Sequence, residues 1–239
     1  MYITQEYDKY TPENHQVWSM LYQRRLPDLQ TTACSAFIKG LGLIGLDSKH
    51  VPRLDDVNAR LKPLTGWQAA PVPGYLPAKD FFLSLSQRKF PTTITVRPLN
   101  QLDYLPEPDI FHDVFGHVPL HSDPVFADFL QHYGHVALHT HDEQELTELA
   151  RLFWFTVEFG LIRENGAIKL FGSGLMSSAG EGPHALGDEV EKRAFDLQAV
   201  ISQSFEIDHY QPLLFVIDSF EQLYDAVEEW SRGGVHAKT

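Results

Sequence analysis

Residues Pro106–Leu120 read PEPDIFHDVFGHVPL, and the fold turns on how this stretch is read together with Glu158. His112 and His117 stand five residues apart, and Glu158 sits inside the apolar run Leu152–Ile162, LFWFTVEFGLI. Two imidazoles and one carboxylate, with no thiolate nearby, are the ligand set of the 2-His-1-carboxylate facial triad. That set holds Fe(II) on one face and leaves the other positions open. On a regular helix, positions i and i+5 do not share a face, whereas i+3 and i+4 do. Gly116 and Pro119 offer a way out, because glycine commonly closes a helix and proline cannot continue one. The spacing predicts a helix from near Pro108, with His112 on its last turn and His117 just past its end, where two rings can converge on one ion.

Glu158 is the only charged residue between Arg151 and Arg163. The apolar periodicity from Leu146 to Leu161 predicts a helix buried on most sides. An ionised carboxylate there costs several kcal/mol unless it is paired or binds a metal. Metal ligation stands beside two plainer readings, a structural ion pair with a buried arginine and a glutamate on a small polar face.

The chain has 239 residues, enough for one large domain. Its 43% hydrophobic and 21% charged residues are ordinary for a globular protein. A net charge of −13 argues against nucleic-acid and anionic-membrane surfaces, which favour basic patches. Cys34 is the only cysteine, so no internal disulfide can form. The N-terminal stretch MYITQEYDKYTPENH lacks the apolar core of a secretory signal. No apolar run approaches the roughly 18 residues of a membrane helix. A cytoplasmic location is the expectation.

Read in order, Thr11-Pro12 predicts a helix start, with the helix ending at Pro27 and Cys34–Leu41 forming a second helix closed by Gly40 and Gly42. Lys49–Leu61 reads as a third, stopped by Pro63. Residues 63–80 hold four prolines and two glycines and read as a long loop. Phe81–Gln87 reads as helix and Phe90–Val96 as strand. A helix follows Asp123-Pro124 to about Gly134, residues 135–142 read as irregular, and Glu143–Arg163 reads as the long helix carrying Glu158. Asn165-Gly166 predicts a hairpin between Leu161–Arg163 and Ile168–Phe171. GSGLMSSAGEGP reads as loop, Gly187–Ala194 as helix, Asp196–Ile207 as including a strand, and Phe220–Trp230 as a closing helix before a frayed tail. The fold class is mainly α (α+β), a single catalytic domain over residues 1–239, mostly helical with short strands.

PEPDIFHDVFGHVPL followed by FWFTVEFGLI resembles the pterin-dependent aromatic amino acid hydroxylases. GWQAAPVPGYLPAKDFF before it and IKLFGSGLMSSAGE after it extend the likeness over about residues 63–220. The resemblance implies a mostly helical catalytic domain, Fe(II), tetrahydrobiopterin or a related tetrahydropterin, and O2 as co-substrate. It places the iron ligands on His112, His117 and Glu158. It matches Ser177 to a serine supporting the first histidine, Arg97 to the arginine that grips the substrate carboxylate, and Asp109 to the acid that holds that arginine. It expects the substrate ring near Pro108, Trp154 and Phe159. It expects the pterin on Phe81, with Gly74, Leu76, Asp113 and Ala150 as further cofactor contacts. Asp113 stands where animal members carry Glu, and Phe153 where they carry Tyr.

The resemblance matches Trp154 to phenylalanine and tyrosine hydroxylases, where tryptophan hydroxylases tend to have Phe, and the aliphatic Ile207 to a position where tyrosine hydroxylases have Asp. It thereby implies L-phenylalanine, converted to L-tyrosine, over tyrosine or tryptophan as substrate. The regulatory domain and tetramerisation helix of animal members are not expected here, so a monomer or small homo-oligomer is. A zinc hydrolase also uses two His and a Glu, but the sequence lacks H-E-x-x-H. A histidine-rich storage protein is suggested by seven of the twelve histidines lying between His112 and His141.

Overall fold

The computed structural model describes residues 1–103, 107–207 and 209–233, and the predicted tail falls largely outside them. Helix α1 (Pro12–Thr32) starts at a capping box: Thr11 accepts from the Asn14 N–H, and Asn14 accepts from the Thr11 N–H. The predicted stop at Pro27 is overridden, and the helix runs on to Thr32. Pro27 and Gln23 are both exposed, so water can serve the Gln23 carbonyl that proline leaves without a donor. Arg25 and Leu29 on the other face are buried and hold the helix together.

Helix α2 (Ser35–Ile44) ends at Gly45 in the left-handed conformation, φ 75°, and not at Gly40 or Gly42. Gly40 serves a close approach, since a Cβ there would lie 2.2 Å from the Pro119 carbonyl oxygen. Helix α3 (Leu54–Thr65) starts later than predicted and carries the exposed Pro63 within it. The proline-rich stretch contains strand β1 (Gln68–Val72), which the sequence reads as loop. After α4 (Ala78–Ser86), β1 pairs in parallel with β2 (Lys89–Thr93), Gln68 opposite Lys89.

The chain does not break at Gly116. Ile110 leads into a π-helical segment, Phe111–His117, followed by a 3-10 turn, Val118–Ser122. Phe111 and Phe115 stack at 4.6 Å on its inner side and meet Trp18, Tyr22 and Phe37 of α1 and α2. Helix α5 (Pro124–His139) is capped by Asp123 and continues past Gly134 through residues predicted irregular. Helix α6 (Glu143–Phe153) passes into a second π segment, Trp154–Glu158, so the long helix ends at Glu158 and not Arg163.

The predicted hairpin is present: β3 (Leu161–Glu164) and β4 (Ala167–Leu170) pair antiparallel around Asn165 and Gly166, both at positive φ. The glycine- and serine-rich stretch holds two short helices, α7 (Ser173–Ser177) and α8 (Glu181–Leu186). Residues predicted helical form β5 (Glu191–Ala194), a largely exposed, charged edge strand. Residues predicted to include a strand form α9 (Leu197–Ser202), capped by Asp196. The sequence reading misses β6 (Leu213–Ile217), LLFVI, which is buried throughout. It lies between β3 and β5, parallel to both, in a sheet ordered β4-β3-β6-β5. Helix α10 (Glu221–Ser231) closes the chain within a residue of its predicted span.

His121 lies under the site in a box of Trp67 (4.6 Å), Phe90 (5.0 Å) and Phe126 (6.0 Å). Among the described residues neither ring nitrogen makes a well-aligned hydrogen bond, the nearest backbone partners being at His117 and Val118. Burial, with His117 nearby, pushes its pKa down to about 3. The unfolded chain takes up this proton near pH 6.5 and the folded chain only near 3, so His121 makes stability fall as pH drops through that window. His121→Phe is expected to stabilise the protein by about 1–3 kcal/mol at pH 7, by removing poorly bonded polar atoms. Urea titrations at pH 7 and 5 are expected to show the wild type losing about 2 kcal/mol more than the variant on acidification.

Candidate metal centre and its cavity

The two π segments solve the spacing problem. A π turn bonds residue i to i+5 and so brings positions five apart onto one side. His112 and His117 are such a pair, and their Nε2 atoms lie 3.2 Å apart. In the second segment the Phe159 N–H donates to the Trp154 carbonyl at 2.9 Å. That widened turn presents Glu158, whose Oε1 lies 3.2 Å from His117 Nε2 and whose Oε2 lies 3.7 Å from His112 Nε2.

Helix α7 is wedged against both segments. A Cβ at Gly172 would lie 2.4 Å from the Glu158 carbonyl oxygen, and one at Gly116 would lie 3.0 Å from the Ser173 carbonyl oxygen. Ser173 Oγ donates to Glu158 Oε2 at 2.8 Å. Ser177 Oγ donates to the Ser173 carbonyl at 2.9 Å and lies 2.9 Å from His112 Nδ1. A hydroxyl has one proton. With that proton on the Ser173 carbonyl, Ser177 accepts from His112 Nδ1–H, and His112 Nε2 is left with a bare lone pair.

Burial alone would push the Glu158 carboxyl up. The facing His117, then His112 and the Ser173 hydroxyl, outweigh it and hold Glu158 down at about 2. An ionised carboxylate and two imidazole nitrogens within 3.7 Å of one another form a donor set that a divalent cation fits. Asp113 also lies within 4.8 Å of the histidine ligand atoms. Its Oδ2, however, accepts from both the N–H and the hydroxyl of Thr93 at 2.7 Å, and burial raises its pKa.

The metal end opens into a cavity of about 790 Å³. Arg97 reaches it from behind: Nε and Nη2 each donate to Asp109 at 2.9 Å, and Nη1 donates to the Leu102 carbonyl at 3.3 Å. Of five guanidinium N–H groups, these bonds leave one on each terminal nitrogen, among the described residues. Asp109, 1% exposed, also accepts the His112 N–H and so ties Arg97 to the first π segment. Its pKa is lowered: burial opposes ionisation, but Arg97 and the two backbone N–H groups prevail.

Pro108, Trp154 and Phe159 line the cavity, with the Trp154 and Phe159 rings 4.6 Å apart. Gly74, Leu76 and Phe81 also line it, and Phe153 meets Phe81 edge-on at 5.7 Å. Ile207 stands at the rim, 76% exposed. Ala150 is the residue that geometry does not bring in: it is exposed on α6 and does not line the cavity, and its carbonyl accepts the Trp154 N–H.

The sequence reading does not find Ser173, Thr93, Phe90 or Phe205. Phe90 covers His117 at 4.5 Å, and Phe205 stacks on Trp154 at 4.3 Å. Arg25 and Glu181, from α1 and α8, also line the cavity, and burial pushes Glu181 up to about 7.

Residues 6–235 match the model of a family described as biopterin-dependent aromatic amino acid hydroxylase. The chain is 43% identical over 225 residues to a phenylalanine-4-hydroxylase of Chromobacterium violaceum, covering 94% of this chain and 76% of that protein. It is 44% identical to one of Ralstonia nicotianae, covering 94% and 72%. A crystal structure of the Chromobacterium violaceum enzyme with bound iron(III) and 7,8-dihydrobiopterin superposes with a TM-score of 0.94 at 40% identity, over all of this chain and 87% of that one.

Ser177→Ala is expected to lower divalent-metal affinity about 10- to 100-fold by freeing the His112 tautomer and ring orientation. Chelator competition measures this, with circular dichroism showing an unchanged fold.

Proposed function

The chain belongs to the biopterin-dependent aromatic amino acid hydroxylases, and from that premise we propose which of its residues hold iron, pterin and substrate. The activity is that of a pterin-dependent non-heme iron monooxygenase converting L-phenylalanine to L-tyrosine with O2. This displaces the zinc hydrolase and storage readings. His112, His117 and Glu158 are the iron ligands. The observation that carries this is the convergence of two Nε2 atoms and one ionised carboxylate within 3.7 Å, with His112 Nδ1–H already committed to Ser177. The iron and pterin, when bound, supply the activation of O2.

The remaining chemistry lies in how this chain places the ring. Arg97 offers its two outward N–H groups to the substrate α-carboxylate, a planar match that a lysine cannot make. Asp109 keeps the guanidinium aimed. Pro108, Trp154 and Phe159 form an apolar slot for the ring. Phe205, stacked on Trp154, fixes that indole from behind. Phe81 offers a face for the pterin, with Gly74 and Leu76 supplying backbone at its polar edge. Asp113, held by Thr93, lines the cavity beside the histidines. Phe90 packs over the His117 ring at 4.5 Å and helps to hold it in place.

No helix among the described residues is long and apolar enough to cross a membrane. We further propose that the chain works in the cytoplasm as a monomer or small homo-oligomer, which light scattering tests.

The primary experiment loads apoprotein anaerobically with Fe(II), then adds a tetrahydropterin, air and L-phenylalanine. Tyrosine is expected only with iron and pterin together, and at higher kcat/KM than the products from tyrosine or tryptophan. One iron per chain without any tyrosine would overturn the substrate assignment. Arg97→Lys is expected to raise KM for L-phenylalanine about 10- to 100-fold, the loss of one charge-assisted hydrogen bond. Steady-state kinetics check this, together with unchanged iron content.

A further inference from the structure

Resting on the assignment of His112, His117 and Glu158 as iron ligands, we propose that Arg25 is a positioning residue for the iron site, acting through α7 and Ser177 on His112. Arg25 lies in α1, far from the ligands in sequence, and is 2% exposed. Its Nε donates to the Met176 carbonyl at 2.9 Å and its Nη2 to the Leu175 carbonyl at 3.1 Å. Nη1 has no hydrogen bond and lies 3.6 Å from an Asp28 carboxylate oxygen. A buried guanidinium is costly unless its bonds are made, so this side chain is held by what it holds.

What it holds is the end of α7. That helix has five residues, Ser173–Ser177, too few to be stable alone. Its last carbonyls have no donors within the helix. Arg25 supplies donors to two of them and places a cation at the negative end of the helix. The Met176 carbonyl belongs to the peptide plane whose nitrogen is that of Ser177. Fixing that plane fixes where the Ser177 hydroxyl stands, and that hydroxyl accepts the His112 Nδ1–H at 2.9 Å. Arg25 thereby reaches the lone pair of the first ligand through Ser177 and not by contact with His112.

The test compares Co(II) dissociation constants, by chelator competition, for wild type, Arg25→Met, Ser177→Ala and the double variant. Arg25→Met is expected to weaken Co(II) binding about tenfold, and Arg25→Lys to recover part of the loss. In the Ser177→Ala background, Arg25→Met is expected to change affinity by less than about twofold, because residues acting in series are not additive. Arg88→Met removes another cross-linking arginine, one that bonds the Thr65 carbonyl and Asp128 and does not line the cavity. It is expected to lower Tm and leave Co(II) affinity alone.

Two results would overturn the proposal: an Arg25→Met protein with lower Tm but wild-type affinity, or an equal loss with and without Ser177. Should Arg25→Met not fold, Arg25→Lys in the two backgrounds makes the same comparison. Failure of the ligand assignment would be visible separately, as a His112→Ala protein that keeps wild-type Co(II) affinity.

Discussion

The Ser177 hydroxyl carries one proton, and that proton goes to the Ser173 carbonyl 2.9 Å away. Everything at the metal end follows from its direction. The oxygen is left to accept from His112 Nδ1, so the imidazole is held with Nε2 unprotonated and facing His117 and Glu158. A neighbouring serine of the same short helix, Ser173, binds the carboxylate of Glu158. One turn of helix therefore sets the protonation of His112 and the orientation of Glu158. A metal site assembled from separate elements needs such a keystone, because imidazole and carboxylate torsions are otherwise free.

The same helix explains why both ligand segments are π-helical. Widening a turn sacrifices regular α geometry, and such turns persist where surrounding packing fixes them. The first is clamped between aromatic stacking on its inner side, through Phe111 and Phe115, and α7 on the other, at Gly116. The second meets α7 at Gly172, where no side chain fits. The π turns, the glycines and the two serines form one arrangement, and none of them is intelligible without the others.

The three candidate ligands were legible because their chemistry is conspicuous: a lone carboxylate in LFWFTVEFGLI and two histidines before a proline. Their geometry was not. Propensity and spacing offer an α-helix or a break, and a break at Gly116 was the only way to let i and i+5 meet; the π turn is a tertiary outcome. The supporting residues were illegible for the same reason. Nothing in GSGLMSSAGEGP separates a flexible loop from a buried helix, since small polar residues suit both, and only the packing on Glu158 decides. LLFVI of β6 has the unbroken apolar run of a parallel, doubly covered strand, which periodicity does not distinguish from buried helix. Charged β5 reads as helix by composition and is a strand because it lies at a sheet edge. Pro27 and Pro63 misled because the cost of proline in a helix falls where the orphaned carbonyl faces water.

The acids around the cavity are largely neutralised from within the protein. Three acids at the candidate metal end are answered within the described residues: Asp109 by Arg97, Asp113 by Thr93, and Glu158 by Ser173 and the imidazoles. Arg97 keeps one N–H on each terminal nitrogen that bonds within the described residues do not use. The cavity lining is rich in aromatic residues, and it supplies contact area to a phenyl ring with few competing hydrogen bonds.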